Sequence, residues 1–333
     1  MRRLPVLFVM VVLAGFLASC VASTGLPAFK RLENYRFDPS LALLERVGEV
    51  PPLLLEALKK LDNRPDYRPY NLTPEEMRQF SVALGELPDI QRTVLNGRLV
   101  GIYFVQNLSS GGYSDYLLDR NGVLHTVLVL NPAILHTGIS RWIADKELSA
   151  FQADRTDISL TVECGEGGRS ALLYLLLHET AHQLDYLSGC TPYVEKDLAA
   201  AGKPLAEVAF DAGAWQDYDH PLAAFDFPLR RRLRFYGLDN SVKLARGDLP
   251  HLYRRLAASP FTTLYASQNW AEDFAETAAF AALARSNGIV CTLRVQGPGQ
   301  EQFEFPLLDR PPVVVRLPLL YAACRPVSLI GVK

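Results

Sequence analysis

The chain is predicted to fold as an α+β protein, and three stretches carry that expectation. Residues 170–189, SALLYLLLHETAHQLDYLSG, are an apolar run with no Pro and no Gly before the last position, which reads as a buried helix. Ahead of it lie segments rich in branched and aromatic residues, 98–106 (RLVGIYFVQ), 123–130 (VLHTVLVL) and the shorter 158–163, which read as strands. Behind it, 261–283 (FTTLYASQNWAEDFAETAAFAAL) holds a second helix, rich in Ala, that Ser267 or Asn269 can cap.

Taken in order, the chain opens on Arg2 and Arg3, an apolar run over 4–17 and the small residues Ala18-Ser19-Cys20. A charged start, a short apolar core and small residues at its end describe a secretory signal, 1–19, rather than a spanning helix. Leu17-Ala18-Ser19-Cys20 resembles the lipobox of bacterial lipoproteins. The resemblance implies a lipidated Cys20 as first residue of the mature chain, in the cell envelope, and Val21 in place of Asp implies the outer membrane. Residues 20–70 read as a polar tether, helical stretches at 41–47 and 52–61, and a connector. Thr73-Pro74-Glu75-Glu76 then starts a helix, with Thr as cap and Pro in the first turn, that runs to about Leu84.

Residues 71–288 form the main domain. Ser109-Ser110-Gly111-Gly112 is a turn between the first two strands. His125 and His136 belong to this β region and have no metal-binding spacing. The 170–189 helix, capped by Ser170 and closed by Gly189, carries His178-Glu179-Thr180-Ala181-His182. Two histidines four apart share a helix face, so both imidazoles can grip one metal ion. Glu179, beside that face, can take a proton from a metal-activated water.

Residues 191–260 are expected to wall or cover a cleft. His220 and His251 occur there as candidate third ligands without supporting spacing. Arg230-Arg231-Arg232 with Arg234 reads as a solvated helix face. In the second helix Glu272 and Glu276 are four apart and share a face, while Asp273 points about 100° away. Geometry alone leaves Glu272 and Glu276 even as third ligand and supporting acid. The final segment, 289–333, is Pro-rich with β-type runs at 290–295 and 313–317 and reads as a short hairpin or strap.

Composition bounds the function. The 333 residues are 49% hydrophobic with a net charge of −2, enough for a large core and with no electrostatic case for nucleic acid. Besides Cys20 there are Cys164, Cys190, Cys291 and Cys324. An even number in an exported chain suggests two disulfides, and their order suggests Cys164–Cys190 and Cys291–Cys324.

HETAHQLD matches an HExxHxxD pattern, with Asp185 seven residues after His178, and YASQNWAEDFAE matches a Tyr followed by ExFAE. On these two motifs the chain resembles the gluzincin-type zinc metallopeptidases related to the catalytic domain of anthrax lethal factor. The resemblance implies a zincin-like domain, with a small mixed β-sheet packed on the HExxH helix and a mostly helical second half. It implies Zn2+ held by His178, His182 and Glu272, with Glu179 as general base. Tyr265 would stabilise the oxyanion, and Asp185 and Glu276 would orient the imidazoles. The implied substrate is a peptide or protein. The 90 residues from His182 to Glu272 (272 − 182) exceed the spacing in lethal factor and imply an insertion near the cleft. Two other readings are a non-catalytic envelope lipoprotein, acting as a binding or assembly factor on a peptidase-like scaffold, and a zinc hydrolase acting on a non-peptide bond.

Overall fold

The two central strands of the principal sheet are buried on both faces, so their alternating side chains feed two separate cores. The computed structural model describes residues 25–153, 157–165, 169–195, 198, 209–237, 242–297 and 302–323, and over them the chain is a mixed α+β protein. The sheet comprises β1 (Val47–Gly48), β2 (Arg68–Tyr70), β3 (Leu99–Gln106), β4 (Gly112–Leu118) and β5 (Leu124–Leu130). Its order is β1-β3-β5-β4, with β2 also paired to β3. β3 runs parallel to β1 and β5, and β4 closes one edge antiparallel to β5. Ile102, Phe104, Leu128 and Leu130 join the core on one face. Tyr103, Val105, Val127 and Val129 join a second core on the other, under Leu54, Leu55 and Leu58 of helix α1 (Pro52–Leu61).

The first face is covered by the histidine-bearing helix. Helices α2 (Pro74–Gly85), α3 (Asp89–Arg98) and α4 (Ile139–Leu148) surround α5 (Ala171–Ser188), which lies across β4 and β5. α5 is buried along almost its whole length, as an apolar run on every side requires. Thr73 and Glu76 close the expected capping box on α2. Ser170 stands at the N-cap of α5 without a side-chain cap bond; the Ala171 N–H instead donates to the Thr137 carbonyl at 2.7 Å. Gly189 ends α5 in the left-handed conformation (φ 62°), where its N–H reaches the Asp185 carbonyl. A residue with a side chain would be strained there.

β6 (Ser159–Cys164) follows α4, and the hairpin β7 (Trp215–Asp217) and β8 (His220–Pro221) lies in the stretch between the two long helices. After α6 (Leu249–Ala257) comes α7 (Trp270–Asn287), packed along α5. β9 (Cys291–Gln296) and β10 (Phe303–Pro306) complete a second, antiparallel sheet of order β10-β9-β6. Ile289, Leu293, Val295 and Phe305 enter the same core as α5, so the C-terminal segment is built into the body of the protein.

Several expectations are corrected. The segment near 158 is a strand as expected, β6, and it pairs with β9 so that Cys164 falls opposite Cys291. That register joins Cys164 to Cys291, with Cα atoms 4.1 Å apart, in place of the two expected bridges. Cys190 is buried and its thiol donates to the Ala323 carbonyl at 3.4 Å. Residues 313–317 are not a strand. Pro311 and Pro312 open a helical turn, Pro311–Val314, and a second helix spans Leu317–Ala323. Residues 41–47 form a 3-10 turn, Leu43–Arg46, leading into β1 rather than a helix. Arg230 is buried, not solvated: it pairs with Asp226 and donates to the Ser267 and Asp219 carbonyls. β4, α3, α4 and α6 were not anticipated. Cys20, the signal and Cys324 lie outside the described residues.

Candidate metal centre

Two long helices, both apolar on most sides, meet along their polar positions. His178 and His182, one turn apart on α5, face the first turns of α7, where the Asn269 side chain accepts from the Glu272 N–H at 2.9 Å and fixes the helix start. His178 Nε2 and His182 Nε2 are 3.2 Å apart, and Glu272 Oε2 lies 3.3 Å from the first and 3.4 Å from the second. Glu272 Oε2 is buried and has no hydrogen-bond partner. Two imidazole nitrogens and a carboxylate oxygen thus converge on one point, an arrangement that costs energy unless a cation or protons resolve it. Ligand atoms about 2.0–2.1 Å from a tetrahedral centre lie about 3.3 Å apart, so these three residues fit zinc as three corners of its coordination. His178 is 6% exposed, against 17% for His182 and 21% for Glu272, so the cluster is reached from solvent on the His182–Glu272 side.

Electrostatics follow the same geometry. Burial pushes the His178 imidazole down, but Glu272 and Glu276 outweigh it and hold its pKa at about 10 in the metal-free chain. Burial would raise Glu272, yet His182 and His178 hold it far below the usual carboxylate range.

Glu276, a turn beyond Glu272, is fully buried with both carboxylate oxygens engaged. Its Oε1 accepts from the Tyr174 hydroxyl and lies 3.0 Å from His178 Nδ1, a close approach short of a well-aligned hydrogen bond. Its Oε2 accepts from Lys146 Nζ at 2.5 Å and from Thr263 Oγ1 at 2.8 Å. Asp273 points away, as its position on the helix requires, and pairs with Arg316 and Trp215. Asp185 does not serve an imidazole: its carboxylate accepts from the Thr191 N–H (2.7 Å) and Thr191 hydroxyl (2.6 Å), tying α5 to the following loop.

Glu179 faces the edge strand. A Cβ on Gly112 of β4 would stand 2.6 Å from Glu179 Cγ and 2.7 Å from its Cδ and Oε1, so the glycine makes the space that the carboxylate occupies. Ser114 Oγ, two residues on, donates to the Glu179 carbonyl at 2.9 Å. Burial raises the Glu179 pKa, with His178 and His182 opposing.

Tyr265 completes the wall, its ring 6.1 Å from that of His178. Burial pushes its phenol well above the ordinary value, and Glu272 adds to this, so the hydroxyl keeps its proton. Glu147 of α4 holds the loop beneath it, accepting from the Leu264 N–H (2.9 Å), the Tyr265 N–H (3.3 Å) and the Tyr253 hydroxyl (2.5 Å). Beside this wall a cavity of about 360 Å³ is lined by His136, Arg141, Trp142, Lys146 and Tyr236 among others.

The other histidines stay apart from the centre. His125 packs edge-on against Phe37, His136 contacts Glu76, and His251 is exposed on α6. His220 joins Asp217 and Asp219 in an exposed cluster on the β7–β8 hairpin. Sequence reasoning missed Lys146, Glu147 and Thr263, none of which has a local spacing to mark it, and Tyr174, whose place four residues before His178 on the same helix was a signal that could have found it; it read Gly112 only as a turn residue. The chain matches no family model, no curated protein and no solved structure.

Proposed function

We propose that the protein is a zinc-dependent peptidase of the gluzincin type, with His178, His182 and Glu272 as metal ligands. The observation that carries this reading is the triangle of 3.2, 3.3 and 3.4 Å between two imidazole nitrogens and a buried, unpartnered carboxylate oxygen. Bound zinc would supply Lewis-acid polarisation and lower the pKa of the attacking water. Glu179, made more basic by burial, accepts the proton of that water and passes it to the leaving amine. The Tyr265 hydroxyl, still protonated, donates to the developing oxyanion. Glu276 steadies the His178 ring.

The position of β4 supports a peptide substrate. Among the described residues it is paired only with β5 over Gly112–Leu118, apart from a bridge to Arg31 at its far end, and it passes directly over Glu179. An extended peptide can add to such an edge by main-chain hydrogen bonds, which places its carbonyls beside the general base. The zincin-like reading rests on this order of edge strand, HExxH helix and glutamate helix. The lipobox ending at Cys20 supports attachment of the enzyme to the bacterial envelope, most consistently the outer membrane. No helix among the described residues is long and apolar enough to cross a membrane.

The test is Glu179→Gln in the mature chain. It should bind zinc with near wild-type affinity while losing nearly all hydrolysis of a mixed peptide library, because the base is removed and no ligand is touched. Undiminished hydrolysis would refute the mechanism.

A further inference from the structure

The long-range partner of Glu276 is a lysine on a helix that carries no metal ligand. Lys146 Nζ is buried, its side chain 2% exposed, and donates to Glu276 Oε2 at 2.5 Å and to the Tyr174 hydroxyl at 2.7 Å. Tyr174 in turn donates to Glu276 Oε1. The ammonium also lies 4.9 Å from the centre of the Tyr265 ring. The pair spans 130 residues of sequence and joins α4 to α7 through the first turn of α5.

We propose that Lys146 is a positioning residue of the metal centre, holding the Glu276 carboxylate in place so that the His178 ring stays aimed at Glu272 and His182. This role rests on the zinc reading above. Glu179, Glu272 and Glu276 put three carboxylates around two imidazoles, in a site with Glu147 buried nearby. Lys146 supplies the cation next to the one carboxylate that touches no open side of the site. Without the ammonium on Oε2 the carboxyl group can turn about its last bond, which carries Oε1 away from His178 Nδ1. Because Glu276 Oε1 serves Tyr174 and His178 together, the direction of the carboxyl plane depends on what grips Oε2, namely Lys146 and Thr263. An imidazole loosened at Nδ1 no longer presents Nε2 in a fixed direction.

The experiment is a zinc titration of the mature chain against a chelating indicator, with the visible spectrum of the cobalt-loaded protein as a report on ligand geometry. It compares wild type, Lys146→Met, Glu276→Gln and the double variant. Lys146→Met should bind zinc about 10–100-fold more weakly, the range typical for loss of an outer support, with an altered cobalt spectrum. The double variant should bind no more weakly than Glu276→Gln alone, because a neutral amide no longer needs the ammonium; a purely structural role would instead add its loss to that of Glu276→Gln. If Lys146→Met does not fold, the Glu276→Gln and double-variant pair decides the matter by the same criterion. Wild-type zinc affinity and an unchanged cobalt spectrum in Lys146→Met would overturn this inference alone. A wild-type chain that takes up neither metal would refute the zinc reading, and this inference with it.

Discussion

Adding one methyl group at Gly112 should disable the general base while leaving the metal centre intact. The Cβ of Gly112→Ala would lie 2.6 Å from Glu179 Cγ and 2.7 Å from its Cδ and Oε1, where ordinary contact begins at 3.4 Å. The carboxylate must therefore retreat by about 0.7–0.8 Å. Gly112 does not adopt a positive φ, so alanine imposes no backbone strain, and the atoms in its way, from Cγ outward, all belong to the Glu179 side chain. The cost should thus fall on chemistry rather than on folding. A displacement near 1 Å of a catalytic group can reduce turnover on the order of 100-fold, and a loss of about 10–100-fold is expected here. His178, His182 and Glu272 are untouched, so zinc affinity should stay within a few-fold of wild type. Initial rates on a peptide library, read by mass spectrometry beside zinc stoichiometry, measure both. A variant that cleaves at the wild-type rate while fully zinc-loaded, or one whose lost activity merely tracks lost zinc, would refute the placement of Glu179 under β4.

Other outcomes follow from the same geometry. Glu272→Ala should be purified essentially zinc-free, whereas Glu276→Ala should retain zinc with about 10–100-fold lower affinity; the reverse order, read by titration, would exchange the two roles. Tyr265→Phe should keep its zinc and turn over slowly. Zinc uptake should depend on pH through His178. Its pKa is raised to about 10 in the folded metal-free chain, so its proton stabilises that state fully below the ordinary value of 6.5 and is lost as pH rises through about 10. Zinc must displace this proton, so affinity should rise between about pH 7 and pH 9, with about one proton released per ion from this ring. Calorimetry in buffers of different ionisation enthalpy counts those protons, and a flat affinity over that window would contradict the assignment. Non-reducing peptide mapping should recover Cys164 linked to Cys291, and their complete recovery as free thiols from the native envelope would contradict it.

What could be read from the sequence was local. The α5 run, its closing Gly189 and the i, i+4 spacings of His178–His182 and Glu272–Glu276 all depend on helix geometry within a few residues, and the structure brings these side chains into one cluster. What could not be read depends on partners far apart in the chain. Lys146 and Glu147 lie in RWIADKEL, which has the look of an exposed helix, because their partners stand 130 and 106 residues away. The partner of Asp185 was not legible for a related reason: helical spacing gives the face of a side chain but not the loop that comes to meet it, here Thr191. Cysteine order suggested a bridge between neighbours, but strand register decided the pairing. Residues 313–317 have strand-like composition, and the two prolines before them set a helical turn instead.

The Cys164–Cys291 bond links cysteines 127 positions apart in sequence, and both helices that carry the histidine–glutamate cluster lie inside the loop it closes. By chain entropy such a closure can destabilise the unfolded chain by up to about 5 kcal/mol. It has a second consequence if the chain, as proposed, is exported and meets other proteases. A cut anywhere between Ser188 and Trp270 would separate the peptide carrying His178 and His182 from the peptide carrying Glu272, yet the two would remain one covalent molecule. The nicked protein would run as a single species until reduced and then fall into two fragments, each with an incomplete set of ligands. Thiol would thus act on the nicked form as an inactivator, although neither cysteine belongs to the metal cluster.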